Sequence, residues 1–283
     1  MLSMSRLADD LVALARRITE ELQPPPVENV IIPAADGGPD HRGAFCAVQL
    51  SDGSSGLSYV LLEDALASLQ ALDASSLSGQ PALELARHLP GGDPARRCLA
   101  LAAFNALARH LLERAGFLPD FATNSVGSLE LDGSDRLGMV GFFPPLVRRA
   151  LDQGIALTVL ELRSELVQEQ PGMSVTLDPS RLAECSKIIC TSTTLLNDSL
   201  DAVLAHARSC REFVIVGPSA VCVPDPLFAR GVTGVGGAWV TNPTALAERI
   251  RGGRPWGDAA RKFSLRNDGA WPGVEELLRR SRR

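Results

Sequence analysis

Apolar positions near the start of the chain recur at helical spacing: Leu7, Leu11, Leu14, Ile18 and Leu22 lie four, three, four and four residues apart. That spacing lines one face of an amphipathic helix, which Pro24-Pro25-Pro26 ends. Val27 to Ile32 reads as a strand. Gly43 to Leu50 and Leu57 to Leu62 read as two more, and the Asp52-Gly53 step between them predicts a hairpin. A helix is expected from Asp64 and a short one over Ala82 to His88. Asp93 then supplies an N-cap, Pro94 the first helical position and Gly116 a stop for the longest helix of the chain. Its body, ARRCLALAAFNALARHLLERA, carries alanine and leucine on most sides, which predicts burial against a sheet and a further layer. Ser125 to Leu131 reads as a last strand of this part, and Asp132-Gly133-Ser134-Asp135 as the boundary.

Past that boundary the pattern changes. Leu137 to Phe142 is an apolar run too short for a helix, and Leu146 to Gln153 is periodic and stopped by Gly154. Ile155 to Leu160 is a second apolar run that closes on Glu161. A strand–turn–helix–strand unit of this kind predicts a parallel sheet. A short helix over Asp178 to Glu184 follows, then strand Lys187 to Cys190. The polar segment Thr191-Ser192-Thr193-Thr194-Leu195-Leu196-Asn197 is expected to open a helix through Ala207. Phe213 to Val216 is a strand ending in Gly217-Pro218-Ser219, and Val232 to Val240 a glycine-rich one. The whole predicts an α/β protein: a smaller α+β domain over residues 1–132, and a Rossmann-like domain of about five strands over residues 133–283.

Composition narrows the partners. The chain has 283 residues, is 45% hydrophobic and 22% charged, and carries a formal net charge of -5. An acidic balance argues against a nucleic-acid-binding surface. The basic tail, Arg279-Arg280-Ser281-Arg282-Arg283, reads as a solvated helix end with cations near the dipole's negative pole. No apolar run approaches the roughly 20 residues of a membrane span, and no h-region opens the chain, so a cytoplasmic location is expected. Cys46, Cys98, Cys185, Cys190, Cys210 and Cys222 form no C-x-x-C and are expected as buried, reduced thiols. The four histidines, His41, His88, His110 and His206, show no metal-ligand spacing. Asp36, Asp40 and His41 share one loop and are the best local metal candidate, with solvated loop polarity as the simpler reading. The expected partner is a small molecule, and homo-oligomerisation is compatible with this reading.

Several of these segments together resemble a known family. The Val140-Gly141-Phe142-Phe143-Pro144 turn, the Thr191 to Asn197 segment, Gly217-Pro218-Ser219 and the late Gly234-Val235-Gly236-Gly237 are similar to the heavy-metal chelation domain family. Its members join a Rossmann-like C-terminal domain to a small domain resembling the N-terminal domain of enolase. The Leu57-Ser58-Tyr59 strand and the Ala102 to Leu107 stretch of the long helix fit that partner. The resemblance implies a theme of metal chelators and small-molecule metabolism. Ser192 departs from it, standing where the family more often has glycine.

The loops suggest which ligand. A dinucleotide site needs glycines and free amides at a helix start, whereas Gly141-Phe142-Phe143-Pro144-Pro145 offers two bulky rings and two residues without an N–H. No P-loop is present either, so NAD, FAD and ATP are not expected. A phenyl face attracts a cation by about 0.5–2 kcal/mol, and a sulfonium is such a cation. Glu161 at a strand end suits ribose hydroxyls. Together these point to S-adenosylmethionine, with Phe142 and Phe143 toward the sulfonium and Glu161 toward the ribose. Thr191, Ser192, Thr193, Thr194 and Asn197 would face a carboxylate, Gly217, Pro218 and Ser219 would line the same crevice, and Tyr59 would close it. The competing reading makes the two phenylalanines core, Glu161 a surface carboxylate, the hydroxyls helix caps and Tyr59 a core residue. The leading function is a transferase or cyclase acting on an amino-acid-derived fragment, toward a metal chelator. The alternatives are a non-catalytic protein binding a metal or metal–chelator complex, and a structural partner subunit with a vacant fold.

Overall fold

A computed structural model describes residues 6–34, 44–121 and 129–282. In chain order the elements are α1 (Leu7–Leu22), β1 (Val27–Ile31), β2 (Phe45–Leu50), β3 (Ser55–Tyr59), α2 (Ala65–Gln70), α3 (Ala82–Ala86) and α4 (Pro94–Arg114). There follow β4 (Arg136–Val140), α5 (Pro144–Asp152), β5 (Ala156–Leu160), β6 (Gln168–Gln170), β7 (Met173–Thr176) and β8 (Lys187–Thr191). The last are α6 (Leu200–His206), β9 (Glu212–Val216), α7 (Asp225–Phe228), β10 (Gly234–Val240), α8 (Pro243–Arg251), β11 (Ala260–Arg266) and α9 (Val274–Ser281).

Two sheets form. β1, β2 and β3 make an antiparallel three-stranded sheet, with the expected hairpin between β2 and β3. The second sheet has the order β11-β10-β9-β8-β4-β5-β7-β6. It is parallel from β10 to β7 and antiparallel at its two edges. The chain passes from β4 to β5 on one side and returns to β8 on the other. The gap between β4 and β8 is therefore the topological switch point, beyond whose carboxyl ends ligands collect in such folds.

Both faces of the central strands are buried, which explains their near-continuous apolar runs. Leu137, Met139, Val159, Ile189, Val214 and Val216 lie with Val147 and Ala150 of α5 on one face. Val140, Leu160, Ile188, Cys190, Phe213 and Ile215 join the other core, which continues through α4 to the small sheet. α4 is buried on nearly every side, as its composition predicts. Gly56 makes that fit: a Cβ there would stand 2.1 Å from the Ala102 carbonyl oxygen and 2.4 Å from the Ala106 nitrogen.

The sequence reading needs four corrections. The Thr191 to Asn197 segment does not open an α-helix: Ser192–Leu195 is one 3-10 turn, and α6 begins at Leu200. No strand occupies residues 129–131, although Leu129 is buried; residues 125–128 of that expectation lie outside the described ones. The large sheet has eight strands rather than about five, because β6, β7 and β11 were not anticipated. The helix α8 after Asn242-Pro243 was also missed; the Asn242 side chain caps it by accepting from the Ala245 N–H at 3.0 Å. All six cysteines are free thiols, five of them buried. The cations of the tail are paired, Arg279 and Arg280 with Glu276 and Arg282 with Glu21, while Arg283 lies outside the described residues. No described helix is long and apolar enough to cross a membrane.

Candidate ligand-binding site

The loops after β4, β5, β8 and β9 meet at the carboxyl ends of the sheet, as their strand order requires. Phe142 and Phe143 are half-buried against the core beneath α5. The Glu161 carboxylate ties two of these loops together. Its Oε1 accepts from the Phe142 N–H at 3.0 Å, its Oε2 from the Leu162 N–H at 2.9 Å, and Arg163 approaches Oε1 to 3.6 Å. The Arg163 N–H reaches Oε2 as well, at 3.5 Å, so the carboxylate's acceptor positions, about four in all, are taken up by its own loops.

The hydroxyl cluster works locally. Thr194 Oγ1 donates to the Thr191 carbonyl at 2.8 Å, and Thr191 Oγ1 accepts from the Thr193 N–H at 3.3 Å. Asn197 Oδ1 accepts from the Ser199 N–H at 3.2 Å and the Ser199 hydroxyl at 2.6 Å. Ser192 is buried beneath the next loop: a Cβ at Gly217, where φ is +140°, would come within 2.3 Å of its hydroxyl. This turn fills the switch point itself. Ser219 is fully buried and its hydroxyl accepts from the Tyr59 N–H at 2.8 Å, while Asn105 Nδ2 donates to the Ser219 and Leu57 carbonyls. The loop after β9 is thereby clamped to β3 and α4.

Space remains beside the filled switch point, toward β9, β10 and β11. A pocket of about 420 Å³ opens there. Its floor is Val216, Gly217 and Pro218 with Gly236, Gly237 and Ala238 of β10. Phe143, Pro145 and Leu146 form one wall, and Trp256 and Phe263 bring two more rings. Gly257 and, from β11, Ala260, Arg261 and Lys262 complete the lining. Of the residues expected at the site, Phe143, Gly217 and Pro218 line this pocket. Tyr59 stands behind it: its ring meets Phe45 edge-on at 5.6 Å, and Phe45 meets Trp256 at 5.4 Å. Burial pushes the Tyr59 phenol up, against the pull of the Arg163 guanidinium. Phe142, Glu161, Ser219 and the residues from Thr191 to Asn197 shape the neighbouring loops instead of the pocket lining.

Trp256, Lys262 and Arg261 were missed by sequence reasoning. The alternation Lys262-Phe263-Ser264-Leu265-Arg266 did carry a strand signal. Trp256 lies in an irregular connection, where no periodicity marks it. Cys190 and Cys222 are held at about 12 by burial, so neither thiol is a nucleophile near neutral pH. Among the described residues no three His, Cys, Asp or Glu side chains gather as a metal site. The Asp36, Asp40 and His41 candidate lies outside the described residues.

Known proteins agree with this architecture. A crystal structure from Pyrococcus horikoshii, of a DUF364-family protein with unknown function, superposes with a TM-score of 0.69 at 20% identity, over 92% of this chain and 99% of that one. One from Desulfitobacterium hafniense, of the same description, gives a TM-score of 0.66 at 18% identity with the same coverage. An uncharacterized protein of Methanocaldococcus jannaschii is 27% identical over 146 residues, which is 50% of this chain and 53% of that relative. The match thus spans about half of the relative's length. The DUF4213 model, described as "Putative heavy-metal chelation", matches residues 43–108. The DUF364 model, with the same description, matches residues 124–267, half of the chain, and the chain belongs to that family.

Proposed function

We propose that this chain binds S-adenosylmethionine or a related nucleoside in the pocket beside the switch point. It would use that ligand in small-molecule biosynthesis, transferring or cyclising an amino-acid-derived fragment toward a metal chelator. The observation that carries this reading is the 420 Å³ space walled by Phe143, Trp256 and Phe263. Such a space is large enough for a nucleoside, and aromatic faces suit both a flat base and a sulfonium. The β4 turn supports the exclusion of a diphosphate, because Pro144 and Pro145 lack the N–H groups that would face it. Glu161 lies outside the pocket lining with its oxygens on loop amides, so it acts on the ligand through the β4 and β5 loops that it holds.

The chemistry asks little of the side chains. An amine nitrogen forms a bond to the carbon beside the sulfonium as the C–S bond breaks. The electron pair of that bond stays on sulfur as a thioether lone pair, and the ammonium proton leaves to water. Once the two reactants are positioned such a step needs no protein nucleophile. The family description fits a product that binds metal.

Thermal shift tests the reading. S-adenosylmethionine and S-adenosylhomocysteine are expected to stabilise the protein, and Trp256→Ala to lose most of that shift. Glu161→Ala is expected to weaken that shift only in part, through the β4 and β5 loops it holds. Stabilisation by a divalent cation alone, with none by either nucleoside, would replace this reading with non-catalytic metal binding.

A further inference from the structure

We propose that Asn105 selects the ligand: its side-chain oxygen accepts a hydrogen bond from an amino group of the bound molecule, in a small cavity at the inner end of the pocket. The proposal rests on the use of this pocket argued above, but not on the ligand being a nucleoside. Asn105 of α4 is only 5% exposed. Its Nδ2 donates to the Leu57 carbonyl at 3.1 Å and to the Ser219 carbonyl at 3.2 Å. Two carbonyls can be met only by the NH2 end of an amide, so the side chain has one orientation. Oδ1 is then left buried, with no hydrogen-bond partner among the described residues. A buried acceptor in that state costs free energy until a donor reaches it.

Space for that donor lies beside it. A cavity of about 10 Å³ is lined by Asn105, Gly56 and Arg109, and it shares Pro218, Ala238 and Phe263 with the 420 Å³ pocket. That is room for about one water or one amino group. The course of β10 explains the gap. Its pairing with β9 stops at Gly236 opposite Val216, so the edge beyond has no strand beside it. Val240 shows which way that edge faces, because its carbonyl accepts from Arg109 Nη1 at 3.0 Å. Backbone groups alternate along a strand, so the Ala238 N–H and C=O leave by the same edge, toward the cavity. An amino group there meets two acceptors, Asn105 Oδ1 and the Ala238 carbonyl. Arg109 does not compete for the ligand: its Nε and Nη2 sit on Glu113 at 2.8 and 2.6 Å, and its guanidinium stacks 3.5 Å from the Trp239 ring. A neutral aryl amine, such as the exocyclic amine of adenine, suits this corner better than an ammonium, which would meet that guanidinium as a like charge.

Two ligand pairs test this by calorimetry on the full chain. S-adenosylhomocysteine is expected to bind about tenfold more tightly than S-inosylhomocysteine, in which an oxo group replaces the amine. Equal or reversed affinity overturns the proposal and leaves the nucleoside reading standing. If neither nucleoside binds, that reading falls, and 2-naphthylamine against 2-methylnaphthalene decides the proposal alone. Burial in an apolar pocket favours the methyl compound, so an amine that binds about tenfold more tightly has met a buried acceptor. Equal or weaker binding of the amine, or binding of neither compound, overturns it. A crystal structure with the tighter-binding amine then locates the acceptor, with the nitrogen expected about 3 Å from Asn105 Oδ1. A water on Oδ1 with the amine elsewhere takes the role away from Asn105.

Discussion

The two ends of the parallel sheet handle charge in opposite ways. At the amino ends, the Asp135 side chain is fully buried and engaged on every side. It pairs with Lys187 at 3.1 Å and Arg211 at 2.6 Å, and accepts from the Ser186 hydroxyl at 2.8 Å. Lys187 also donates to the Glu130 carbonyl at 2.7 Å and approaches Glu212 at 3.4 Å, while Glu212 pairs with Arg266 at 2.6 Å. At the carboxyl ends, Glu161 and the hydroxyls of the β8 loop close turns. Beyond β9 the 420 Å³ space opens, lined by apolar side chains and glycines with Arg261 and Lys262. The denser charge cluster is thus the less promising site. Ionisable groups that satisfy one another hold strands together, whereas unfilled space lined mostly by apolar side chains can take a ligand.

The sharpest way to break this comparison is Asp135→Ala. It leaves Lys187, only 8% exposed, without its nearer carboxylate. The expected loss is about 3–5 kcal/mol in urea unfolding, with ligand affinity of the surviving fold unchanged. A loss below about 1 kcal/mol would mean that the cluster does not hold the amino ends.

Acid comes next. Burial alone would push the Asp135 carboxyl up, but the Asp132 N–H, the Ser186 hydroxyl and Lys187 outweigh it and hold it at about 2, against an ordinary 3.8. A depressed carboxylate stabilises the fold above its unfolded value and loses that contribution as pH falls toward the folded one. About 2 kcal/mol should therefore drain away between about pH 4 and pH 2. Urea midpoints across that window should fall more steeply for the native chain than for Asp135→Asn. Parallel slopes would remove Asp135 from the account.

Gly217→Ala probes the other end. The new Cβ would crowd the Ser192 hydroxyl at a φ that side chains rarely adopt, costing about 1–2 kcal/mol. Because Gly217 and Pro218 line the pocket, affinity for S-adenosylhomocysteine should fall together with stability. A stability loss with affinity intact would detach the pocket from the carboxyl-end loops.

Legibility in the sequence divides along similar lines. The β4–α5–β5 unit is readable because strands buried on both faces give apolar runs, and Pro144 and Gly154 bracket the helix. β6, Gln168–Gln170, is exposed and wholly polar, so no hydrophobic pattern announces it. Phe143, Gly217 and Pro218 could be placed because residues just past parallel strands face the crevice. Trp256 and Lys262 could not, since only the pairing of β10 with β11 brings them beside Phe143. The Thr191 to Asn197 segment misleads for a physical reason: side chains that cap helices also close tighter turns by bonding to their own backbone.

That ambiguity sets the smallest prediction. The Thr193 hydroxyl lies 3.1 Å from that of Thr191, within the turn that fills the switch point. Thr193→Val keeps the branched shape and removes this one bond, so the expected cost is about 0.5 kcal/mol, with no change in affinity for S-adenosylhomocysteine. A stability change this small needs paired urea curves, whereas affinity is read directly by calorimetry. Affinity falling tenfold while stability holds would return the β8 loop to the ligand. The crevice would then extend across the switch point, and the contrast between a satisfied turn and an open pocket would fail at its closest point of contact.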